Sequence, residues 1–304
     1  MRDVIIIGAG PAGLTASIYG KRAGLDTLVI DETGFGGGQV VTTYEVDNYP
    51  GLPKISGMDL GDKFKEHADG AGVEFMDARV LAVSKDGDTF CVKTSEGDES
   101  ARAVVIATGA THSHLNIPGE EELLGMGVSY CATCDGAFFK NRTAVVVGGG
   151  DVALEDAIFL ARACTKVYLI HRRDSFRGAQ KLVDNVKAIE NIEIIYNSIV
   201  TEIKGEDQVE GVVVENIKDN SSSILKTDGI FIAVGMNPAT EIFDGLVKLD
   251  EKGYIVAGED CVTSTPGIFA AGDLRTKRVR QIITAAADGA NAIGSVTDYF
   301  NSLN

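Results

Sequence analysis

The sequence predicts an α/β chain built on two Rossmann-like dinucleotide-binding domains. Three observations lead there. An apolar run from Val4 to Ile7 feeds the turn Gly8-Ala9-Gly10-Pro11-Ala12-Gly13, and a later run from Thr143 to Val147 feeds Gly148-Gly149-Gly150-Asp151-Val152-Ala153. Each turn is followed by a helical pattern and then by another apolar run, the order of a dinucleotide-binding unit. Between the two units stands Cys131-Ala132-Thr133-Cys134-Asp135, two thiols at the spacing of a small disulfide ring with an acid directly behind them.

Composition bounds the rest. A chain of 304 residues with 44% hydrophobic and 24% charged residues has enough material for two cores. Its 36 glycines cluster at the ends of apolar runs, as tight turns and close backbone approaches require. A formal charge of −16 repels phosphate backbones, so no nucleic-acid partner is expected. Five scattered cysteines do not make a disulfide framework. No apolar run nears the ~20 residues that span a bilayer, and Met1 to Ile5 enters a strand at once, without a signal peptide. The default is a cytoplasmic enzyme that does not bind membranes.

In the first unit, Gly8 permits the turn, Gly10 lets backbone N–H groups approach a pyrophosphate, and Gly13 lets helix pack on strand. The strand Thr27 to Ile30 ends at Asp31-Glu32, and Asp31 suits ribose hydroxyls. Gly34 to Gly38, with Gln39, is read as a loop laid against a flat ligand, and Tyr44 to Gly51 as irregular. Met58 to Gly70 has helical spacing, with His67 partly exposed. Alternation over Val73 to Val83 and Thr89 to Thr94 predicts two antiparallel strands, with Cys91 as a buried small hydrophobe. Ala103 to Ala107 is a buried strand; His112 and His114 then open a linker, and without further ligands nearby no metal site is expected.

In the second unit a helix runs to about Ala163, and the strand Lys166 to Ile170 ends in His171-Arg172-Arg173, with Arg177 close behind. Where an NAD site wants a carboxylate, these cations suit a 2′-phosphate. Ile192 to Ile195, Val209 to Glu215 and Gly229 to Val234 are strands, with a polar hairpin loop at Asp219 to Ser223. Ile268 to Ala271 runs into Gly272-Asp273, and Gln281 to Gly294 is a helix rich in small residues.

Taken together, these blocks resemble the low-molecular-weight thioredoxin reductases over essentially the whole chain. The resemblance rests on the first glycine turn, Gly37-Gly38-Gln39, Glu45 to Asn48 with Pro50-Gly51, and Ala107 to Ala110. It continues through Tyr130 to Gly136, Gly148 to Ala153, His171 to Arg177, and Gly272-Asp273 with Arg280-Gln281.

It implies a discontinuous FAD-binding domain, 1–112 plus 242–304, and an inserted NADPH-binding domain, 113–241, which carries the redox-active CxxC. It implies FAD contacts from Gly8, Gly10, Pro11, Ala12, Gly13, Asp31, Glu32, Gly37, Gly38, Gln39 and Asn48. Val80, Thr108, Gly109, Gly272, Asp273, Arg280, Gln281 and Ile282 complete that set. NADPH contacts would come from Gly148, Gly149, Gly150, Asp151, Val152, Ala153, His171, Arg172, Arg173, Arg177, Val234 and Gly235. Cys134 would be the thiol nearer the flavin, Cys131 the one that attacks a thioredoxin-like protein, and Asp135 the general acid–base. A homodimer and a rotation of one domain against the other are also implied.

Two features depart from the family. Val152 stands where many relatives carry a hydroxyl, and Arg275, Lys277 and Arg278 form a positive cluster read as an exposed loop. Two alternatives therefore stay open: a flavin thioredoxin reductase fed by ferredoxin, and a flavin-binding redox sensor without turnover.

Overall fold

A computed structural model describes residues 1–43 and 45–303. Tyr44, at the start of the segment read as irregular, lies outside the described residues. The chain divides into two compact units, Met1–Thr111 with Asn237–Asn304, and His112–Met236.

The first unit starts with β1 (Arg2–Ile7), α1 (Pro11–Arg22) and β2 (Thr27–Asp31), and then α2 (Gly57–Gly70). β3 (Glu74–Asp77), β4 (Val80–Asp86), β5 (Thr89–Thr94), β6 (Gly97–Ile106) and the short β7 (Ala110–His112) follow. The first six strands lie in the order β3-β2-β1-β6-β5-β4. β1 is parallel to both neighbours, with Val4 opposite Ala103 and Thr27. Its apolar run is continuous because both faces are covered. Val4 and Ile6 pack with Leu14, Ala16 and Ile293, while Ile5 and Ile7 pack with Phe243, Ile255 and Leu274. Each of the larger side chains contributes about 1.5–3 kcal/mol by leaving water.

The second unit contains β8 (Val128–Ser129), α3 (Ala132–Asp135), β9 (Thr143–Gly148), α4 (Asp151–Leu160), β10 (Lys166–His171), α5 (Gln180–Ala188) and β11 (Ile192–Tyr196). β12 (Ser198–Lys204), β13 (Gly211–Asn216), β14 (Ser222–Lys226) and β15 (Gly229–Ala233) complete the insertion, and the short β16 (Met236–Pro238) leads out of it. A parallel sheet, β11-β10-β9-β15-β8, is covered on one face by α4 and α5 and on the other by the antiparallel sheet β12-β13-β14. The chain then returns to the first unit through β17 (Ile268–Ala270), which pairs with β6, and α6 (Ile282–Ser302).

Several expectations need correction. The alternation over Val73 to Val83 breaks at Ala78-Arg79; β3 is parallel to β2, whereas β4 runs antiparallel to β5. Period-2 burial does not reveal strand direction. Cys91 is half-buried rather than buried. Gly38 and Gln39 belong to a 3-10 turn, Gly38–Thr42, not to an open loop. The helix expected to reach Ala163 ends at Leu160, and the one expected to end at Gly294 continues to Ser302 with Gln281 as its N-cap. α5 and β12 had no counterpart in the sequence reading.

Asp156, half-buried on α4, is pushed up to about 7 by burial, with the neighbouring Glu155 charge adding to the shift. A carboxyl raised in the folded state leaves stability intact below its unfolded value and withdraws it as pH climbs toward 7. Asp156→Asn is therefore expected to stabilise the protein at pH 8 by on the order of a few kcal/mol, and hardly at pH 4. Melting curves at the two pH values check the sign; equal shifts would refute it.

Candidate functional site

The sulfur site sits where β8 turns into α3. Cys131 is the N-cap of α3, with its Sγ 3.2 Å from the Cys134 N–H. Cys131 and Cys134 form a disulfide with their Cα atoms 5.3 Å apart. Both cysteines are half-buried. Asp135 is fixed by Ser129, whose hydroxyl donates to its Oδ2 at 2.6 Å and accepts from the Cys131 N–H at 3.0 Å. Burial pushes the Asp135 carboxyl up, and the Ser129 hydrogen bond partly opposes this. A raised acid beside a disulfide can hold a proton nearer neutral pH and release it to a leaving thiolate.

Ser129 was not singled out in the sequence; a lone serine before Tyr-Cys carries no spacing signal. The same holds for Glu120. Its buried carboxylate accepts from the N–H groups of Leu115 and Asn116 and from the Tyr130 hydroxyl, at 3.0, 2.7 and 2.8 Å. His114 Nδ1 lies 2.8 Å from that hydroxyl, and the His112 ring stacks on Tyr130 at 5.0 Å. The linker histidines are thus part of the scaffold around the residue preceding Cys131.

In the same unit, the glycine turn at the head of α4 is tied to the strand-end cations. The Arg177 N–H donates to the Gly149 carbonyl at 2.8 Å, and Asp151 Oδ1 accepts from the Ala179 N–H at 2.7 Å. Arg172, Arg173 and Arg177 are exposed, and none forms an ion pair among the described residues. His171 differs from the set it was read with. Its ring is buried at 5% exposure beneath the turn, where a Cβ on Gly149 would stand 2.1 Å from it. Burial depresses its basicity, with the Arg177 and Arg173 charges acting the same way. It shapes the turn and does not stand among the surface cations. Gly150 caps α4, and Ala153 packs against Gly148. Val152 is 61% exposed in the first turn of α4, and Val234 and Gly235 follow β15.

The first unit holds a cleft of about 460 Å³ lined by Gly8, Asp31, Glu32, Val80 and Thr108 among others, within the size range of small-ligand sites. Ala78, Arg79, Asn237 and Glu241 also line it and were not read from the sequence. Gly8 has φ +105, and a Cβ on Gly13 would stand 1.8 Å from the Gly8 carbonyl oxygen, so turn and helix meet at backbone contact. Both oxygens of Asp31 already accept protein hydrogen bonds, Oδ2 from the Ala9 N–H and Oδ1 from Thr33. Glu32, next to Asp31 at the end of β2, is an exposed carboxylate in the cleft, as is Glu241.

Gly10 and Gly38 approach so closely that a Cβ on Gly38 would lie 3.0 Å from the Gly10 Cα. Asn48 Nδ2 donates to Gln281 Oε1 at 2.9 Å, beside Ile282 at the start of α6. Arg280 donates to the Asp273 carbonyl at 3.2 Å, with its guanidinium 4.1 Å above the Tyr254 ring. Thr108 donates to the Ala239 carbonyl at 2.6 Å, and the adjacent Gly109 has φ +71. Pro11 and Ala12 open α1, and Gly37 precedes the 3-10 turn. Asp273 Oδ1 is buried with no hydrogen-bond partner among the described residues. Burial pushes that carboxyl up to about 6, against the opposing charges of Lys277 and Arg280. An orphaned acceptor of this kind is expected where a ligand's donor completes it.

The positive cluster is not an exposed loop. Arg275 is 1% exposed, and it and Lys277 both bond to the buried Asp288; only Arg278 faces solvent.

Comparison with known proteins fits this geometry. The pyridine nucleotide-disulphide oxidoreductase family matches residues 2–289. The chain belongs to this family. A thioredoxin reductase of Listeria monocytogenes is 49% identical over 99% of this chain and 94% of its own length. One from Bacillus subtilis is 45% identical over 99% and 95%. The crystal structure of a thioredoxin reductase from Streptococcus pyogenes superposes with a TM-score of 0.94 at 43% identity, covering 99% of each chain. The fold is accordingly the two-domain FAD/NAD(P)-binding type. Among the described residues no helix is long and apolar enough to cross a membrane.

Proposed function

We propose that this chain is an NADPH-dependent thioredoxin-disulfide reductase that carries FAD. The observation behind this reading is the Cys131–Cys134 disulfide at the head of α3, with Asp135 held beside it by Ser129. The first unit would be the FAD-binding domain and the second the NADPH-binding domain.

The residues fit the flavin. Asp273 Oδ1 needs a donor, which a ribityl hydroxyl would supply, and Gly10 with Gly38 leaves backbone open to a pyrophosphate. Because Asp31 is occupied by Ala9 and Thr33, we assign the ribose hydroxyls to Glu32. Arg172, Arg173 and Arg177 would hold the 2′-phosphate of NADPH, and Gly149 to Ala153 its pyrophosphate. FAD, when bound, takes up hydride equivalents from a nicotinamide and passes two electrons to a disulfide.

The protein's own part follows from thiol chemistry. With the dithiol reduced, Cys131 thiolate attacks a sulfur of the thioredoxin disulfide, forming a mixed disulfide and expelling one thioredoxin thiolate. Cys134 thiolate then attacks the Cys131 sulfur, which re-forms the Cys131–Cys134 bond and releases the second thiolate. Asp135 supplies a proton to a leaving thiolate.

The ferredoxin-fed alternative drew on the positive cluster, but Arg275 and Lys277 face Asp288 and offer no docking charge. A cytoplasmic site of action agrees with the scattered cysteines, and a homodimer, measurable by light scattering, completes the proposal.

The test is anaerobic titration of flavin-loaded protein with NADPH and separately NADH. Rapid bleaching of the visible band by NADPH only, followed by reduction of thioredoxin, is expected. No bleaching by either nucleotide would exclude a nicotinamide donor. Asp135→Asn should slow thioredoxin reduction by about a hundredfold while leaving flavin bleaching unchanged. Equal loss in both measurements would mark Asp135 as structural.

A further inference from the structure

We propose that Asp288, on α6, is a positioning residue for the flavin, holding the Gly272-Asp273 turn in its ligand-binding shape. The inference rests on the FAD reading above and concerns a residue that the sequence did not single out.

Asp288 is 1% exposed, yet its carboxylate is fully engaged. Oδ2 accepts from the Gly272 N–H at 2.8 Å, Arg275 Nε at 2.9 Å and Lys277 Nζ at 2.8 Å. Oδ1 accepts from Arg275 Nη2 at 2.6 Å. Both cationic side chains are nearly inaccessible, at 1% and 3%. Arg275 also donates to the Thr276 carbonyl at 3.0 Å, with the mostly exposed Glu259 as an outer partner at 3.3 Å.

Burying such a trio is a poor route to stability. Desolvation consumes most of the attraction, and well-packed apolar residues of similar volume serve as well or better. Leucine or methionine could not, however, hold a backbone N–H. The Gly272 N–H is the neutral donor in the network, and it belongs to the residue before Asp273. Gly272 has φ +95, a conformation that glycine reaches freely and that an ordered contact must select from its many alternatives. The turn is pressed against the opening of α1, where a Cβ on Gly272 would lie 3.0 Å from the Ala12 Cβ. The residue after Asp288 touches the same place: a Cβ on Gly289 would stand 2.2 Å from the Ala12 carbonyl oxygen. Asp288-Gly289 thus seats α6 on the first glycine turn and carries the Gly272-Asp273 turn with it. The unpaired Asp273 Oδ1 takes its direction from a peptide that Asp288 fixes.

The test compares apoproteins stripped of FAD, by flavin fluorescence titration, visible spectrum of the reconstituted protein, and melting temperature of the apo form. Asp288→Asn is expected to raise the FAD dissociation constant by roughly tenfold to a hundredfold, the worth of a charge-assisted hydrogen bond. The repacked variant R275M/K277M/D288L removes the charges together. It should melt no lower than wild type, yet bind FAD at least about tenfold more weakly and with an altered visible band. Wild-type affinity and an unchanged spectrum in either variant would overturn the proposal. So would failure of both to fold, because the network would then serve stability. Wild-type apoprotein that takes up no FAD would sink the flavin reading itself, separately from the role of Asp288.

Discussion

Cys134→Ser is expected to abolish thioredoxin reduction, lowering turnover by about 10³-fold or more, as when one member of a catalytic unit is removed. Cys131→Ser should lose as much, but the two variants should fail in different ways. In Cys134→Ser the remaining Cys131 can still attack a thioredoxin disulfide, and no neighbouring thiol can then displace it. A covalent adduct with thioredoxin should accumulate and be visible on a non-reducing gel. Cys131→Ser should form far less adduct, because Cys134 would be the resolving thiol. Bleaching of the flavin band by NADPH should persist in both variants. Full turnover in Cys134→Ser, or an adduct confined to Cys131→Ser, would overturn the assignment of roles.

The second large effect concerns nucleotide choice. The R172A/R173A/R177A variant should raise the KM for NADPH by on the order of 10²–10³-fold, because hydrogen bonds to charged groups contribute about 1.5–3 kcal/mol each. The KM for NADH should stay within a few-fold, so discrimination between the nucleotides collapses. These side chains are exposed, so little loss of stability accompanies the change. Lysine should rescue poorly, since an ammonium cannot reproduce the planar fork that grips a phosphate. His171→Asn should do the reverse, leaving discrimination in place while lowering the melting temperature, because its ring fills the space below Gly149. An unchanged NADPH preference in the triple variant would mean that the 2′-phosphate is held elsewhere.

What could be read from the sequence followed the physics of signalling. The buried parallel strands declared themselves because Val4 to Ile7 and Thr143 to Val147 are apolar on both faces and run into glycine turns. Cys131 and Cys134 were legible because their spacing has a chemical meaning. Ser129 and Glu120 were not, because each acts through hydrogen bonds to nearby groups that leave no periodic trace. Arg275 and Lys277 misled, since charge density in a short segment reads as surface until the buried partner, Asp288 on a distant helix, is known. His171 misled similarly: adjacency to two arginines in sequence conceals that it closes β10 with its ring under Gly149, while the arginines stand beyond the strand in solvent. β12 and α5 fell between stronger signals.

The seating of Gly289 on Ala12 also has a consequence for how the protein is made. The inserted unit is continuous, so its whole core has been synthesised once Met236 has been added. The surrounding unit cannot close until α6 arrives, because the backbone of its first helix is met by the last one. At translation speeds of about 5–20 residues per second, the remaining stretch takes roughly 3–14 s. During that interval the nascent chain would carry a completed inserted unit and an open first sheet, with Val4, Ile6 and the Ala12 to Ile18 stretch uncovered on the face that α6 later seals. That face is where a ribosome-bound chaperone would find its apolar target, and FAD could be captured only after release of the final helix.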